Sequence, residues 1–170
     1  MYETAEPILV DLTEKARYAE PGEKHVLFRL GNETFGLAAQ IVRGVMGIGS
    51  LIPAANSSFL LIGFVFCQTK ALPVFDIRTA LGLPAPGLGG KEEVLVLSLP
   101  SDARLRIGIL VESLENACAI HSAAIKGVVQ NRIPSQFLRG SARLDEREVL
   151  VLDLDFLISP TALRRLSNLT

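Results

Sequence analysis

Cys118 and His121 stand three residues apart and are the residues in this chain whose types and spacing best suit a metal site. A thiolate and an imidazole can both bind zinc, but a structural zinc ion takes four protein ligands. The remaining ligands would have to come from isolated carboxylates. We therefore predict no metal site and interpret both residues as ordinary surface or core positions.

Two further patterns resemble catalytic or phosphate-binding motifs. Asp153 and Asp155 alternate with leucines, so on a strand both carboxylates would share one face, as acid–base catalysis requires. We instead interpret them as residues that cap the end of the strand and bond to backbone groups. Residues 87–91 have the glycine content of a phosphate loop but lack its Ser or Thr and its helix. We interpret them as a flexible linker and predict no enzyme, no catalytic residue and no cofactor.

Composition and charge narrow the class of partner. The chain has 170 residues, 49% of them hydrophobic, which is enough for one domain with its own core. A formal net charge of −1 gives no footprint for nucleic acid or an anionic membrane. The first 20 residues have no signal-peptide pattern, and the apolar run 59–67 is too short to span a bilayer. We expect a cytoplasmic protein without direct membrane insertion.

Residues 63–78 are the stretch around which the rest of the chain is organised. They start at a glycine, continue through apolar and β-branched residues, bend at 68–70 and return to a charged end. This pattern predicts a β-hairpin.

The strand pattern occurs twice along the chain. A hairpin predicted at 26–37 recurs at 94–111, and the apolar run 72–77 recurs at 149–154, an offset of about 80 residues. Two similar units of about five short strands are the consequence, typical of barrels or sandwiches.

Helical pattern is confined to two short segments, 123–130 and 161–169, the second following Ser159-Pro160. Residues 1–22 form an N-terminal extension, either a short amphipathic helix or a loose arm. The predicted divisions are a domain at 23–159, with lobes at about 23–90 and 91–159 between which strands could be exchanged, and a helix or tail at 160–170.

An ordered series of short motifs runs through the predicted domain. In chain order they are Phe28-x-Leu30-Gly31, Phe35-Gly36-Leu37, Ile41-Val42-x-x-Val45, Ile52-Pro53, Leu-Pro-Val-Phe-Asp-Ile-Arg at 72–78, Leu81-Gly82, Gly108-x-Leu110-Val111-Glu112-x-Leu114, and the run 149–157. This series resembles the CheW family of chemotaxis coupling proteins over residues 23–159.

The resemblance implies a mainly β fold of two SH3-like five-stranded β-barrels that share a hydrophobic core, with a few short helices. It also implies a non-catalytic scaffold that couples a chemoreceptor's cytoplasmic tip to the regulatory domain of a CheA-type histidine kinase. The alternatives are a small-molecule or peptide binding module on the same fold and a CheW-like adaptor redirected to another partner. The partner-binding residues it suggests are Val42, Val45, Gly63, Phe64, Phe66, Gln68, Thr69, Leu114 and Ala117.

The chain departs from the family pattern at two places. The family usually carries Arg-Gly where this sequence has Gln68-Thr69, so a guanidinium is replaced by a neutral amide. Family members commonly place an acidic residue where this chain has Gly44. Both positions lie where the family contacts its partners, so the sequence leaves the identity of the partners open.

Overall fold

The computed structural model describes residues 22–55, 60–127 and 132–158, which form two β-sheets and one short helix. Within these ranges, no helix has the length and apolar character that crossing a membrane requires. The elements in chain order are β1 (Glu23–Leu30), β2 (Glu33–Ala38), β3 (Val42–Gly47), β4 (Ile52–Pro53), β5 (Leu61–Cys67), β6 (Lys70–Phe75), β7 (Glu93–Leu99), β8 (Asp102–Val111), β9 (Ser113–Leu114), β10 (Cys118–Ile120), β11 (Leu138–Leu144), β12 (Arg147–Leu152) and α1 (Leu154–Leu157).

Each sheet contains five strands of three or more residues and one strand of two residues. The first sheet has the order β10-β1-β2-β12-β11, with β9 also paired to β1. The second has the order β3-β7-β8-β6-β5-β4. The predicted mainly β fold and its hairpins at 26–37, 63–78 and 94–111 are confirmed.

Both sheets curl so that their edges approach each other. Beyond β10, the backbone of Lys126 exchanges two hydrogen bonds with Ser141 of β11, at 2.8 and 2.9 Å, which links the two edges of the first sheet. In the second sheet, a 3-10 turn at Ile48–Ser50 leads from the edge strand β3 to the opposite edge strand β4. The sheets therefore have the barrel curvature expected of the family fold.

A large hydrophobic core lies between the sheets, and several strands are buried on both of their faces. In β7, Leu95 and Leu97 belong to the core shared with the first sheet, whereas Val94 and Val96 belong to a smaller cluster inside the second. Successive strand side chains point to opposite faces, so an uninterrupted apolar run fills two cores at once. A third cluster, around Leu27 and Val149, lies inside the first sheet. The predicted shared core is confirmed.

Strand pairing does not follow the division of the chain at residue 90. The β1–β2 hairpin pairs with β9, β10 and β12, all from the second half. Conversely, the β7–β8 hairpin pairs with β3 and β6, both from the first half. The two sheets therefore do not coincide with residues 23–90 and 91–159, because the two halves exchange their first hairpins.

The internal repeat is visible in strand geometry. The parallel pairing of β6 with β8 recurs as that of β12 with β2. A register shift near the start of β5, between Leu61 and Gly63, recurs in β11 between Leu138 and Gly140. A neighbouring backbone carbonyl oxygen lies close to each glycine, that of Ile52 at Gly63 and that of Lys126 at Gly140. An added Cβ would collide with it.

The helix prediction at 123–130 is wrong over its described part. Only a single 3-10 turn forms, at Ser122–Ala124, and the chain then extends so that Lys126 can pair with β11. Tertiary pairing overrides the weak local helical pattern. The predicted helix at 161–169 and the extension at 1–21 lie outside the described residues.

Candidate functional site

The turn of the β5–β6 hairpin projects Gln68 and Thr69 into solvent. Cys67 and Lys70 are the last paired residues, so the loop contains only these two side chains. Gln68 adopts a φ of +58°, the left-handed region that favours glycine. The two predicted contact residues of this turn are thus both exposed and held by the hairpin.

Gly63 has a packing role in the same hairpin. It pairs with Pro53 of β4 and with Val74 of β6, and the carbonyl oxygen of Ile52 occupies the place of a side chain. A residue larger than glycine would push β4 away from β5. Gly63 therefore fixes the backbone beneath the predicted surface.

The apolar members of the predicted surface differ in exposure. Val45 is 5% exposed and belongs to the shared core, so it supports the surface from below. Val42 and Phe64 are half-buried and pack against that core from its edge. Phe66 is also half-buried and alternates with the buried Val65 along β5. Val42, Phe64 and Phe66 thus keep part of their surface accessible.

Leu114 and Ala117 lie on the first sheet, in a different groove. The β9–β10 segment and the tip of the β11–β12 hairpin form its sides, and the groove encloses about 990 Å³. An ion pair joins the two sides, with Arg147 Nη2 2.7 Å from Glu115 Oε2. Gln68 instead lines a depression on the second sheet. The structure therefore divides the predicted residues between two surfaces.

A buried ion-pair network around Arg78 was missed by sequence reasoning. Arg78 is only 2% exposed, and its Nε and Nη2 donate to the two carboxylate oxygens of Asp76 at 2.9 and 2.8 Å. Nη1 lies 3.6 Å from Glu112, whose other oxygen accepts a 2.6 Å hydrogen bond from the Gly31 N–H. Nη2 also donates to the carbonyl of Pro86. The Asp-x-Arg pattern after an apolar strand was the available signal.

This network joins segments that are distant in the chain. Asp76 and Arg78 follow β6, Glu112 follows β8, and Gly31 lies in the β1–β2 turn, so both sheets and the connection 76–92 are tied together. The hydrogen bond to Asp76 raises the pKa of Arg78 and offsets the opposing effect of burial. The guanidinium therefore remains a permanent cation in the interior.

The residues considered for metal binding and phosphate binding have local hydrogen bonds or are partly buried. His121 Nδ1 accepts a hydrogen bond from the Ala123 N–H, and burial raises the pKa of the Cys118 thiol. Among the residues that the structure describes, no three His, Cys, Asp or Glu side chains gather as a metal site. In the glycine-rich loop, the carboxylate of Glu92 accepts hydrogen bonds from the N–H groups of Gly89 and Gly90.

Asp153 and Asp155 do not share one face of a strand. They follow the end of β12 and bond to backbone groups, as the preferred interpretation of the sequence has it. β12 ends at Leu152, and Asp153 caps α1 by accepting a hydrogen bond from Phe156. Asp155, inside the helix, accepts a 2.7 Å hydrogen bond from Ser101. The Asp153 cap also starts the short helix α1, which the sequence pattern did not predict.

Comparison with known proteins agrees with this architecture. A family model described as the CheW-like domain matches residues 24–161. The chain is similar to the chemotaxis protein CheW of Klebsiella aerogenes, at 22% identity over 149 residues, covering 86% of this chain and 88% of that protein. It is also similar to a probable chemotaxis protein CheW of Rhizobium etli, at 22% identity with coverage of 80% and 87%.

A solved structure has the same fold. The crystal structure of the scaffolding protein TtCheW from Thermoanaerobacter tengcongensis superposes with a TM-score of 0.71 at 20% identity, covering 83% of this chain and 90% of that one. The two curled sheets, the shared core and a family match that spans both sheets lead to one conclusion: the chain belongs to the CheW-like domain family.

Proposed function

We propose that this chain is a non-catalytic adaptor that couples the cytoplasmic tip of a chemoreceptor to a CheA-type histidine kinase. The family match over residues 24–161 is the observation that carries the proposal. Relatives named as chemotaxis proteins and a related structure titled as a scaffolding protein support it. Family membership agrees with the prediction that the chain is not an enzyme.

The adaptor would act by holding two partners close together. Two weak interfaces on one rigid body raise the effective concentration of each partner for the other, without chemistry on the adaptor itself. The shared core and the Arg78 network supply that rigidity. Coupling of receptor to kinase would take place in the cytoplasm.

The receptor surface of the proposal consists of the exposed β5–β6 turn and half-buried residues of β3 and β5. Gln68 and Thr69 would make the outer contacts, and Val42, Phe64 and Phe66 the apolar ones. Leu114 and Ala117 would belong to a second contact on the first sheet.

Titration calorimetry with the CheW-like regulatory domain of a histidine kinase from the same genome tests the coupling role. We expect saturable binding with a dissociation constant in the micromolar range, on the order of 1 to 100 μM, as suits a transient signalling contact. An absence of heat at these concentrations would contradict the kinase-coupling part of the proposal.

The receptor surface needs a separate test with two matched variants. Thr69→Arg places a bulky cation on the exposed turn, whereas Ala123→Arg places the same group at an exposed position following β10. Binding to a receptor-tip peptide should weaken about tenfold for Thr69→Arg, a loss of about 1.4 kcal/mol, and remain unchanged for Ala123→Arg. Equal binding by both variants, with native circular dichroism, would assign the receptor to another surface.

A further inference from the structure

The second sheet opens into a cleft where β6 and β8 diverge. These parallel strands pair only at Val74 with Gly108 and at Phe75 with Ile109. Residues 70–73 and 103–106, which precede the paired positions, form the two sides of a cavity of about 440 Å³. We call this cavity the cationic cleft.

The floor and the rim of the cationic cleft differ in character. Ala71, Pro73 and Leu105 line it and are half-buried, so they form an accessible apolar floor. The buried Leu72 and Val96 join this floor to the inner cluster of the second sheet. The rim carries three exposed cations, Lys70, Arg104 and Arg106. The cleft thus offers an apolar contact below and positive charge above.

The three cations of the rim have no carboxylate of a described residue within ion-pair distance. No acidic residue is among the described residues that line the cavity. Asp102, two residues before Arg104, accepts a hydrogen bond from the backbone N–H of Arg104.

A fourth cation extends the positive surface across the sheet. Arg43 of β3 donates from Nε to the hydroxyl of Ser98 at 2.8 Å, and Ser98 pairs with Arg106 across β7 and β8. In a chain with a net charge of −1, this is a local concentration of positive charge.

We infer that the cationic cleft binds an extended acidic segment of a partner protein, with carboxylates against the rim and an apolar side chain on the floor. Four residues of divergence correspond to about 13 Å of strand, the length of about four residues of an extended peptide. A bare inorganic anion would contact only the rim and would leave the half-buried apolar side chains of the floor in contact with water. An amphipathic acidic segment matches both features.

This site goes beyond the coupling function and does not depend on which receptor or kinase is bound. Gln68 lines both the cleft and the proposed receptor surface, so the test leaves it unchanged. Reversing charge at Lys70 and Arg104 alters only exposed side chains on the rim. Arg29→Glu with Arg139→Glu is the matched control, because these exposed arginines lie on the first sheet.

Fluorescence anisotropy with labelled octapeptides and the full chain provides the measurement. The probes are an alternating Glu–Leu peptide, a Gln–Leu peptide that lacks charge, and a Glu–Ser peptide that lacks the apolar side chain. We expect the Glu–Leu peptide to bind at least about tenfold more tightly than either of the others, and more weakly as salt is added. Lys70→Glu with Arg104→Glu should weaken its binding about tenfold, whereas the control pair changes it less than about twofold.

Three results would overturn the inference. One is equal binding of the Glu–Leu and Glu–Ser peptides, which would reduce the cleft to a nonspecific anion patch. Another is an equal loss of binding in the rim and control variants. The third is complete displacement of the Glu–Leu peptide by a single-stranded DNA oligonucleotide of the same charge at equal concentration, which would indicate a polyanion surface. Circular dichroism of each variant verifies that the fold is retained.

Discussion

Arg78 is the largest of the fully buried side chains and the only buried arginine or lysine among the described residues. Its charge is compensated by two carboxylates, Asp76 and Glu112, and by a backbone carbonyl. A buried ion pair is not by itself evidence of stability, but removal of one partner leaves the other uncompensated. Substitution of Arg78 should therefore destabilise the protein strongly.

Arg78→Met should lower the free energy of unfolding by about 3 to 5 kcal/mol, because the largely buried Asp76 would keep its charge without a partner and Glu112 would lose its ion pair. Arg78→Lys should recover only part of this loss, since an ammonium group cannot bond both Asp76 oxygens in a planar fork. Urea denaturation measures both variants.

Arg147→Met is the matched control for that experiment. Arg147 also forms a short ion pair, with Glu115, but its side chain is 51% exposed. Its loss should cost less than about 1 kcal/mol. If the two methionine variants lose equal stability, burial of Arg78 is not the deciding factor.

The carboxyl group of Glu92 should make the stability of the protein depend on pH. The hydrogen bond from the Gly89 N–H lowers the pKa of Glu92 below its ordinary value of 4.5. The charged form is therefore favoured in the folded state, and its contribution to stability is present above pH 4.5 and lost as the pH falls through the lowered pKa. Wild type should melt above Glu92→Gln at about pH 7, and the difference should shrink towards about pH 3. A difference in Tm that stays constant over this range would contradict the assignment.

Among the secondary-structure elements, the β5–β6 and β11–β12 hairpins have the same turn geometry. Each has a two-residue turn whose first residue has a positive φ, +58° at Gln68 and +52° at Asp145. This conformation matches the twist of a tight hairpin but strains a residue that has a Cβ. Both turns are therefore held by the pairing of their strands.

Glycine at either strained position should stabilise the protein. Gln68→Gly and Asp145→Gly should each raise the free energy of unfolding by about 0.5 to 1 kcal/mol, since the strain removed exceeds the added freedom of the unfolded chain. The effects should add, because the turns lie on different sheets. Chemical denaturation of the single and double variants tests this.

Thr69→Gly separates conformational strain from a general effect of glycine. Thr69 shares the turn with Gln68 but does not adopt a positive φ. Glycine there only increases the entropy of the unfolded chain and should lower stability by about 0.5 to 1 kcal/mol. The same sign of change at Gln68 and at Thr69 would refute the strain argument.

For the whole molecule, the exchange of hairpins makes each sheet depend on both halves of the chain. β1 and β2 complete the sheet of β9 to β12, while β7 and β8 complete the sheet of β3 to β6. The core between the sheets also draws residues from both halves. Neither half can bury its apolar strands alone.

Cutting the exposed linker should therefore leave the two halves associated. A protease site inserted between Leu88 and Gly89, in an exposed stretch, would yield two fragments that elute together in native size exclusion at micromolar concentration. They should separate in denaturant and reassemble on its removal, because each holds one hairpin of the other's sheet. Uncut protein carrying the same insertion is the control. Separate elution of the cut fragments under native conditions would contradict the argument.

The local sequence pattern was sufficient to predict the strands, the hairpins and the internal repeat. Apolar runs such as 94–99 and 149–152 report strands buried on two faces, and turn residues mark the hairpins between them. The ordered series of motifs was sufficient to predict the family. Local pattern failed at Lys126, where pairing with β11 replaced the predicted helix. It also missed the short helix that Asp153 caps.

By itself, the sequence determined the class of fold, the number of strand units and the family, because alternation and turn chemistry act between near neighbours. Only the tertiary structure decided which hairpin joins which sheet, the partners of Arg78 and the cationic rim of Lys70, Arg104 and Arg106. These features depend on contacts between residues far apart in the chain. The physical reason is that burial of two-faced strands selects a pairing by the core it completes, and no local pattern records that choice.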